Sequence, residues 1–325
     1  MNNVSIDRRA LMAAGVALGL SPVAVHATPP HHGPTDFLRM PLWPGTPPGS
    51  DGVSVREEET VRTPGSPKDD SAFAHVTRPT LSLLRATKPN GGALLVVPGG
   101  GYRKVAIGHE GYDIARRFAA SGYHCYVLTY RMPADGWAAG PDAPLQDAQR
   151  ALRVVRSRAA ADGFDAAKVG VVGFSAGGHL TARLAARPDL ATYTPQDAID
   201  ALPLAAAVAG LLYPVVLLDG PDIHTGSRNQ MLGASPSPDR ARAWSADSRI
   251  APGAPPIFLA HALDDRSVPP ENSLAMLAAL RRARVSSELH LFETGGHGFG
   301  LALPDGTPSP WPELFMAFAR RHGMP

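Results

Sequence analysis

From residue 93 onward, short apolar runs alternate with stretches of helical periodicity, and this alternation restricts the fold more than any other feature. The first run, Ala93–Val97, is continuous and apolar and is stopped by Pro98 and three glycines. A strand buried on both faces of a parallel sheet has this pattern. Strands that alternate with helices form βαβ units, so the sequence predicts an α/β fold with a mostly parallel central sheet and helices on both faces.

The same pattern places the individual elements. Predicted strands cover residues 53–61, 81–85, 93–97, 125–130, 169–174, 205–212, 257–261 and 288–292. Predicted helices cover residues 111–120, 145–161, 175–186, 272–283 and 311–321. Residues 28–80 form a segment rich in proline and glycine that we expect to be mostly irregular and packed on the domain. Residues 81–325 form the predicted catalytic domain, in which residues 219–246 break the alternation and are a candidate cap insertion.

The N-terminal residues 1–27 predict an export signal. Arg8 and Arg9 precede an apolar, uncharged stretch, and small residues at Val25 and Ala27 suit cleavage after Ala27. The apolar stretch is shorter than the roughly 20 residues that a membrane span needs. The arginine pair favours the twin-arginine route over the general one. We therefore expect a periplasmic or secreted protein without a stable membrane anchor after cleavage.

Composition excludes several other classes. The chain of 325 residues has 31 basic and 29 acidic residues and a formal net charge of +2, which gives no reason to expect nucleic acid or an anionic membrane as partner. Cys125 is the only cysteine, so no intrachain disulfide can form. Neither an HExxH sequence nor a cysteine cluster suggests a metal, and we expect no cofactor.

Ser175 lies in the sequence Gly173-Phe174-Ser175-Ala176-Gly177, directly after a predicted strand and at the start of a predicted helix. A G-x-S-x-G sequence in this setting is typical of a nucleophile elbow. The turn is so tight that its flanking residues must be small, and it lifts the serine hydroxyl above the sheet. The sequence therefore predicts Ser175 as a catalytic nucleophile.

A nucleophilic serine needs a base, and the base needs an acid that orients it. His297 lies in a glycine-rich loop after the last predicted strand, where its ring can reach the serine. Asp264 and Asp265 both follow the strand 257–261. Asp265 stands where the D-x-x-V-P pattern of related enzymes carries the acid, so we predict it as the third catalytic residue. For Asp264 we expect a structural role, either as a cap or in a loop hydrogen bond.

The loop after the first buried strand is the candidate oxyanion hole. Three glycines here leave backbone N–H groups free, in the position of the HGGG-type loop. We predict the amides of Gly100, Gly101 and Ala176 as the oxyanion donors. A nucleotide-binding loop is disfavoured because the sequence here is G-G-G-Y-R and not G-x-G-x-x-G, and no Gly-Lys-Ser/Thr follows. Four nearby side chains are candidate substrate contacts: Tyr102, Arg103, His109 and Glu110.

Seven motifs together resemble one known group of proteins. They are PGGGY (98–102), GHEG (108–111), YRMP (130–133), GFSAGGHL (173–180), HTGSRNQMLG (224–233), HALDDRSVP (261–269) and GGHGFG (295–300). The chain resembles the bacterial α/β-hydrolases related to acetyl xylan esterases, some of which are labelled xylanase-like. This resemblance implies the α/β-hydrolase fold and removal of acetyl groups from xylan-type carbohydrate, with a small-molecule or oligosaccharide ester as substrate.

Three other functions remain to be weighed. A peptidase or amidase of the same fold, prolyl-peptidase-like or formamidase-like, would use the same three residues, although the propeller domain of the prolyl enzymes is absent. An inactive binding protein on this fold would be expected to lack a catalytic residue, and all three are present. A glycosidase needs two carboxylates flanking a sugar, and the sequence offers no pair in such a setting.

Overall fold

The computed structural model describes residue 1, residues 34–61 and residues 70–325. The predicted export signal, residues 1–27, lies outside the described residues except for Met1. All described residues from 34 onward belong to one compact unit. In that part of the chain, no helix combines the length and the apolar character needed to cross a bilayer.

Among the described residues, eight strands form one large sheet and three form a small one. The strands are β1 Leu38–Pro41, β2 Glu58–Val61, β3 Ser71–Ala74, β4 Thr80–Leu84, β5 Ala93–Val97, β6 Lys104–Val105, β7 His124–Thr129, β8 Val169–Phe174, β9 Ala209–Leu212, β10 Ile257–Ala262 and β11 Ser287–Phe292. The large sheet has the order β1-β4-β7-β5-β8-β9-β10-β11, and the small sheet has the order β2-β3-β6. In the large sheet, β1 and β4 pair antiparallel at one edge, as do β4 and β7, and every other pairing is parallel. The predicted mostly parallel sheet is confirmed.

Helices connect the parallel strands. They are α1 Asp113–Ala119, α2 Ala143–Ser157, α3 Ala159–Asp162, α4 Ser175–Ala186, α5 Thr225–Leu232, α6 Pro238–Trp244, α7 Glu271–Arg282 and α8 Trp311–Arg321. The predicted helices 175–186 and 311–321 agree with α4 and α8 at both ends. The candidate cap, residues 219–246, contains α5 and α6, and its role as a cap stays a prediction.

Four predicted elements differ from the observed ones by more than one residue at an end. The helix predicted over 145–161 is divided at Arg158 into α2 and α3. The helix predicted over 111–120 follows a π-helical turn, Gly108–Tyr112, and becomes α-helical only at Asp113. The strands predicted over 53–61 and 205–212 begin late, at Glu58 and Ala209. Before β9, the carbonyl of Ala205 accepts a hydrogen bond from the side chain of Arg156 and not from the backbone of a neighbouring strand.

The core lies on both faces of the large sheet. Strands β5, β7 and β8 are buried along their whole length, as expected for central strands covered on two sides. On one face α1 meets α8, where the rings of Phe118 and Trp311 lie 5.7 Å apart. On the other face α2 packs on α4. This arrangement leaves the carboxyl ends of β5, β8, β10 and β11 open to loops.

A buried ion pair fixes residues 43–48 to the rest of the domain. Arg131 and Asp147 pair at 2.9 Å with both side chains fully buried. Asp147 also accepts a hydrogen bond from Trp43 Nε1 at 2.8 Å, and Arg131 donates to the carbonyl of Pro48. Removing one partner of a buried pair typically costs about 3–5 kcal/mol. This cluster therefore holds residues 43–48 against α2.

Candidate active site

Ser175 occupies a strained turn between β8 and α4. Its φ angle is +50°, a left-handed value that is rare for a side chain other than glycine. A Cβ atom at Gly173 would lie 2.1 Å from Thr181 Oγ1, and one at Gly177 would lie 2.2 Å from the carbonyl oxygen of Val97. Glycine is therefore required on both sides of the turn, and Ser175 itself is 5% exposed.

A chain of two hydrogen bonds joins the three residues that the sequence singled out. Ser175 Oγ lies 2.8 Å from Nε2 of His297, and Nδ1 of the same ring lies 2.7 Å from Oδ2 of Asp265. The carboxylate can only accept, so Nδ1 carries a proton and Nε2 is left to accept the serine proton. The structure thus brings Ser175, His297 and Asp265 together in the order that a general-base mechanism requires.

Asp265 is held in its ionised form. Burial opposes ionisation, but hydrogen bonds from His261 and His297 outweigh it and keep the pKa of Asp265 well below its ordinary value. Its second oxygen, Oδ1, accepts from the backbone amides of Ser267 and Val268, both at 2.9 Å. The carboxylate is therefore fixed in orientation as well as in charge.

Two further contacts hold the loop that carries His297. Asp264 Oδ1 accepts from the Gly296 amide at 2.7 Å, which confirms the loop hydrogen bond predicted for this residue. Nε2 of His109 donates to the carbonyl of Gly298 at 2.9 Å. The loop is thus bound on both sides of the histidine, once from the end of β10 and once from the π-helical turn.

The glycine loop after β5 presents free amides to the pocket. The Gly99 amide donates to Glu110 Oε2 at 2.8 Å, so it is occupied. Gly100 and Gly101 have φ angles of +123° and +66°, and their amides donate to no described residue. Ala176 is the second residue of α4, where a helix amide has no partner within the helix. These three amides remain the candidate oxyanion donors.

Tyr102 differs from the expectation that it contacts substrate. Its side chain is fully buried, and its hydroxyl lies 2.8 Å from Nδ1 of His179. Nε2 of His179 donates to the carbonyl of Trp244 at 3.0 Å, so Nδ1 is the acceptor and the tyrosine hydroxyl donates. Burial and the nearby Arg183 lower the pKa of His179 to about 3, which keeps the ring neutral. Tyr102 therefore holds the glycine loop in place and does not reach the pocket.

The pocket around Ser175 has a volume of about 370 Å³. Among the predicted residues, Gly100, Gly101, Arg103 and His109 line it together with Ser175 and His297. A larger cavity of about 640 Å³ lies between Trp43, Pro79 and Trp137, and none of Ser175, Asp265 and His297 lines it.

Four polar side chains complete the wall of the pocket: Lys104, Glu110, His224 and Ser267. Glu110 is among the predicted substrate contacts, whereas Lys104, His224 and Ser267 are not. His224 precedes α5, and its Nδ1 accepts from the Ser227 amide. Burial lowers the pKa of His224, and the neighbouring His297 and Arg103 lower it further. No local periodicity predicts that α5 lies beside the glycine loop. The HTGSRNQMLG motif, which covers His224 and α5, is the only sequence feature that points to a role for this segment.

The described residues contain no group of three or more histidine, cysteine, aspartate or glutamate side chains that could hold a metal ion. The pocket offers a serine hydroxyl, an imidazole, carboxylates and backbone amides to a reaction. This set of groups suits acyl transfer through a covalent intermediate.

Two curated relatives share about 30% of their aligned residues with this chain. An endo-1,4-beta-xylanase B of Butyrivibrio fibrisolvens is 32% identical over 215 residues, which are 64% of this chain and 32% of the relative. An acetylxylan esterase of Xylanibacter ruminicola is 30% identical over 216 residues, which are 65% of this chain and 42% of the relative. The chain thus spans about a third of the first relative and about two fifths of the second.

Solved structures extend the likeness over nearly the whole fold. The acetyl ester-xyloside bifunctional hydrolase of Caldicellulosiruptor lactoaceticus has a TM-score of 0.69 and 31% identity, covering 88% of this chain and 96% of that one. A carboxylesterase of Lactobacillus plantarum, at 23% identity and a TM-score of 0.62, shares the fold. The chain therefore has the α/β-hydrolase fold, and because the BD-FAE family model matches residues 83–280, it belongs to the BD-FAE family.

Proposed function

We propose that this protein is a serine carboxylesterase that removes acetyl groups from carbohydrate esters of the xylan type. The observation that carries the proposal is the line of hydrogen bonds from Ser175 through His297 to Asp265, at 2.8 and 2.7 Å, at the floor of an open pocket. Membership of the BD-FAE family and the names of the relatives, among them an acetylxylan esterase, support the ester and carbohydrate parts of the proposal.

In the proposed reaction Ser175 Oγ attacks the carbonyl carbon of the ester while Nε2 of His297 takes its proton. Asp265 stabilises the imidazolium, and the oxyanion accepts hydrogen bonds from the amides of Gly100, Gly101 and Ala176. The imidazolium then protonates the departing sugar oxygen, which leaves the acetyl group on Ser175. A water molecule gives its proton to His297, attacks the acetyl carbon and releases acetate, and the proton returns to Ser175.

Replacement of the nucleophile tests the mechanism. Ser175→Ala should lower the rate of acetyl-ester hydrolysis by at least about 10³-fold, because no acyl-enzyme can form and only binding and oxyanion contacts remain. Thermal unfolding should show that the variant keeps its fold. Turnover of 4-nitrophenyl acetate at the wild-type rate would refute the assignment of Ser175.

A panel of substrates tests the ester and the acyl group. Acetylated xylan, acetylated monosaccharides and 4-nitrophenyl esters of increasing chain length should show a preference for acetyl esters. Amino-acyl anilides should be poor substrates because the proposed enzyme is not a peptidase or amidase. A strong preference for butanoate or longer chains, or for the anilides, would contradict the proposal.

We further propose that residues 1–27 direct export, so that the enzyme acts in the periplasm or outside the cell. Arg8 and Arg9 before an apolar stretch support this proposal. A reporter fused after Thr28 should leave the cytoplasm, and changing both arginines to lysine should stop it if the twin-arginine route is used. A reporter that stays in the cytoplasm would contradict export, and export of the lysine variant would indicate the general route.

A further inference from the structure

His224 is a pocket residue that the proposed mechanism does not use. It directly precedes α5, lines the pocket around Ser175 and is partly buried. A Cβ atom built on Gly101 would lie 3.6 Å from Cε1 of His224, which is an ordinary van der Waals distance. The edge of the ring that carries Cε1 therefore stands against a glycine of the candidate oxyanion loop.

The hydrogen bonds of the His224 ring fix its tautomer. Nδ1 accepts from the backbone amide of Ser227 at 3.2 Å and lies 2.8 Å from the Ser227 hydroxyl. Because an amide N–H can only donate, Nδ1 carries no proton in this contact. Burial, followed by the nearby His297, lowers the pKa of His224, which keeps the ring uncharged at neutral pH. A neutral imidazole without a proton on Nδ1 has it on Nε2, so Nε2 is a hydrogen-bond donor.

Nε2 of His224 has no partner within the described part of the chain. It makes no hydrogen bond or ion pair there, and it is accessible, unlike buried unpaired atoms such as Trp137 Nε1. Gly226 keeps this side of the ring uncovered, since a Cβ atom there would lie 3.1 Å from Cε1 and 3.4 Å from Nε2. The pocket thus contains an accessible N–H donor that the fold itself does not use.

The ester group itself offers no acceptor for this donor. In the proposed reaction the carbonyl oxygen accepts from the amides of the candidate oxyanion hole, and His297 protonates the departing oxygen. The acetyl methyl group has no acceptor at all. The acceptors that remain in a carbohydrate acetate are the hydroxyl and ring oxygens of the sugar, and a simple alkyl acetate has none of these.

We propose that Nε2–H of His224 donates a hydrogen bond to an oxygen of the sugar that carries the ester, which makes His224 a specificity-determining residue for acetates of carbohydrates. This inference rests on the proposed function and deepens it, because it says how the same pocket distinguishes a carbohydrate acetate from a simple alkyl acetate. The donor is uncharged, so it loses less hydration on binding a neutral sugar than a lysine or arginine would.

Two esters with rings of the same size test this inference. One is a methyl xylopyranoside with one acetyl group, and the other is cyclohexyl acetate, which has no oxygen outside the ester. His224→Asn should lower the ratio of kcat/KM for the glycoside to kcat/KM for cyclohexyl acetate by about 3- to 10-fold, the range for one neutral hydrogen bond. The intrinsic reactivity of each ester is the same for both enzymes and cancels in this comparison.

Asparagine is chosen because it is a good N-cap residue. Its side-chain oxygen can accept from the Ser227 amide as Nδ1 of His224 does, whereas it has no atom in the place of Nε2. His224→Phe keeps a ring but loses both the donor and the cap, so it should lower the ratio at least as much. A loss of the ratio in His224→Phe alone, or equal losses on both esters in both variants, would mean that His224 only holds α5, and would overturn the inference.

His322→Asn is the matched control. Nε2 of His322 lies 3.3 Å from the hydroxyl of Ser286, which directly precedes β11 and is therefore at the edge of the sheet opposite to the pocket. This variant should keep the wild-type ratio. A ratio that fell as far in His322→Asn as in His224→Asn would show that the loss does not come from the pocket, and would overturn the inference.

Binding measurements separate this inference from the proposed function. In calorimetry with Ser175→Ala, adding His224→Asn should weaken binding of the acetylated glycoside by about the same 3- to 10-fold and leave binding of cyclohexyl acetate unchanged. This effect on binding without any turnover by the wild type would support the role of His224 and refute the esterase. Turnover of both esters, with a ratio and affinities that His224→Asn leaves unchanged, would support the esterase and refute the role of His224.

Discussion

Asparagine in place of Asp265 should place the proton of His297 on the wrong nitrogen. Oδ1 of Asp265 accepts two backbone amides, those of Ser267 and Val268, and Oδ2 faces His297 Nδ1. Asparagine has a single acceptor oxygen, and the two fixed backbone donors require it at the Oδ1 position. Its NH₂ group then points at Nδ1, which can accept only without a proton, so the proton moves to Nε2 and the ring can no longer take one from Ser175.

The size of the effect follows from this change of tautomer. The wrong tautomer lowers kcat by about 10⁴-fold in the serine proteases that define this triad, and we expect a loss on the order of 10³- to 10⁴-fold here. Initial rates on 4-nitrophenyl acetate measure it, and circular dichroism checks that the fold is kept. A variant that retained more than about a tenth of the wild-type kcat/KM would refute the reasoning.

Asp264→Asn is the matched control in the same loop. Asp264 accepts one backbone hydrogen bond, from Gly296, and an asparagine oxygen can accept it too. We expect its rate to stay within about threefold of the wild type. A loss as large as that of Asp265→Asn would mean that charge in this loop matters, and not the orientation of the imidazole.

Two other perturbations test parts of the structure outside the triad. Tyr102→Phe removes the donor to buried His179, so the free energy of unfolding should fall by about 1–3 kcal/mol and kcat should decrease as the glycine loop loosens; an unchanged Tm with an unchanged kcat would contradict this. Burial opposes ionisation of Asp162, but hydrogen bonds to its carboxylate, of which that from Arg158 is the strongest, lower its pKa to about 2. Its ionised form therefore stabilises the fold above about pH 4, and this contribution is lost as the pH falls towards 2. Urea unfolding of Asp162→Asn should depend less on pH in that range than unfolding of the wild type, and identical slopes would argue against the ion pair.

Elements with a strong local pattern could be predicted from the sequence. The helix Trp311–Arg321 has a regular apolar face and agrees with the prediction at both ends, and Val169–Phe174 is a continuous buried run before a tight turn. By contrast, β1 lies in a segment expected to be mostly irregular. It forms because Leu38–Pro41 pairs with Thr80–Leu84. Four residues are too few to show a periodic pattern, so the sequence does not predict this pairing with a strand about 40 residues further along the chain.

The candidate site likewise contains residues that the sequence predicts and residues that it does not. Ser175, Asp265 and His297 could be proposed together because each follows a strand whose carboxyl end opens at one edge of the sheet. The wall of the pocket could not be proposed, because His224 reaches it from a segment that no regular pattern positions. Its position beside the glycines predicts Tyr102 in the pocket, whereas its hydroxyl is bound to His179, a residue of α4 that is distant in sequence.

The imidazole of His179 joins two segments, the glycine loop through Tyr102 and the end of α6 through the carbonyl of Trp244. These segments cannot separate without breaking a buried hydrogen bond, which costs about 1–3 kcal/mol if no new partner is found. The glycine loop, which lines one side of the pocket, is thereby held in place from below. Engineering the enzyme for bulkier acyl groups therefore calls for shorter side chains along the wall and not for a more mobile loop.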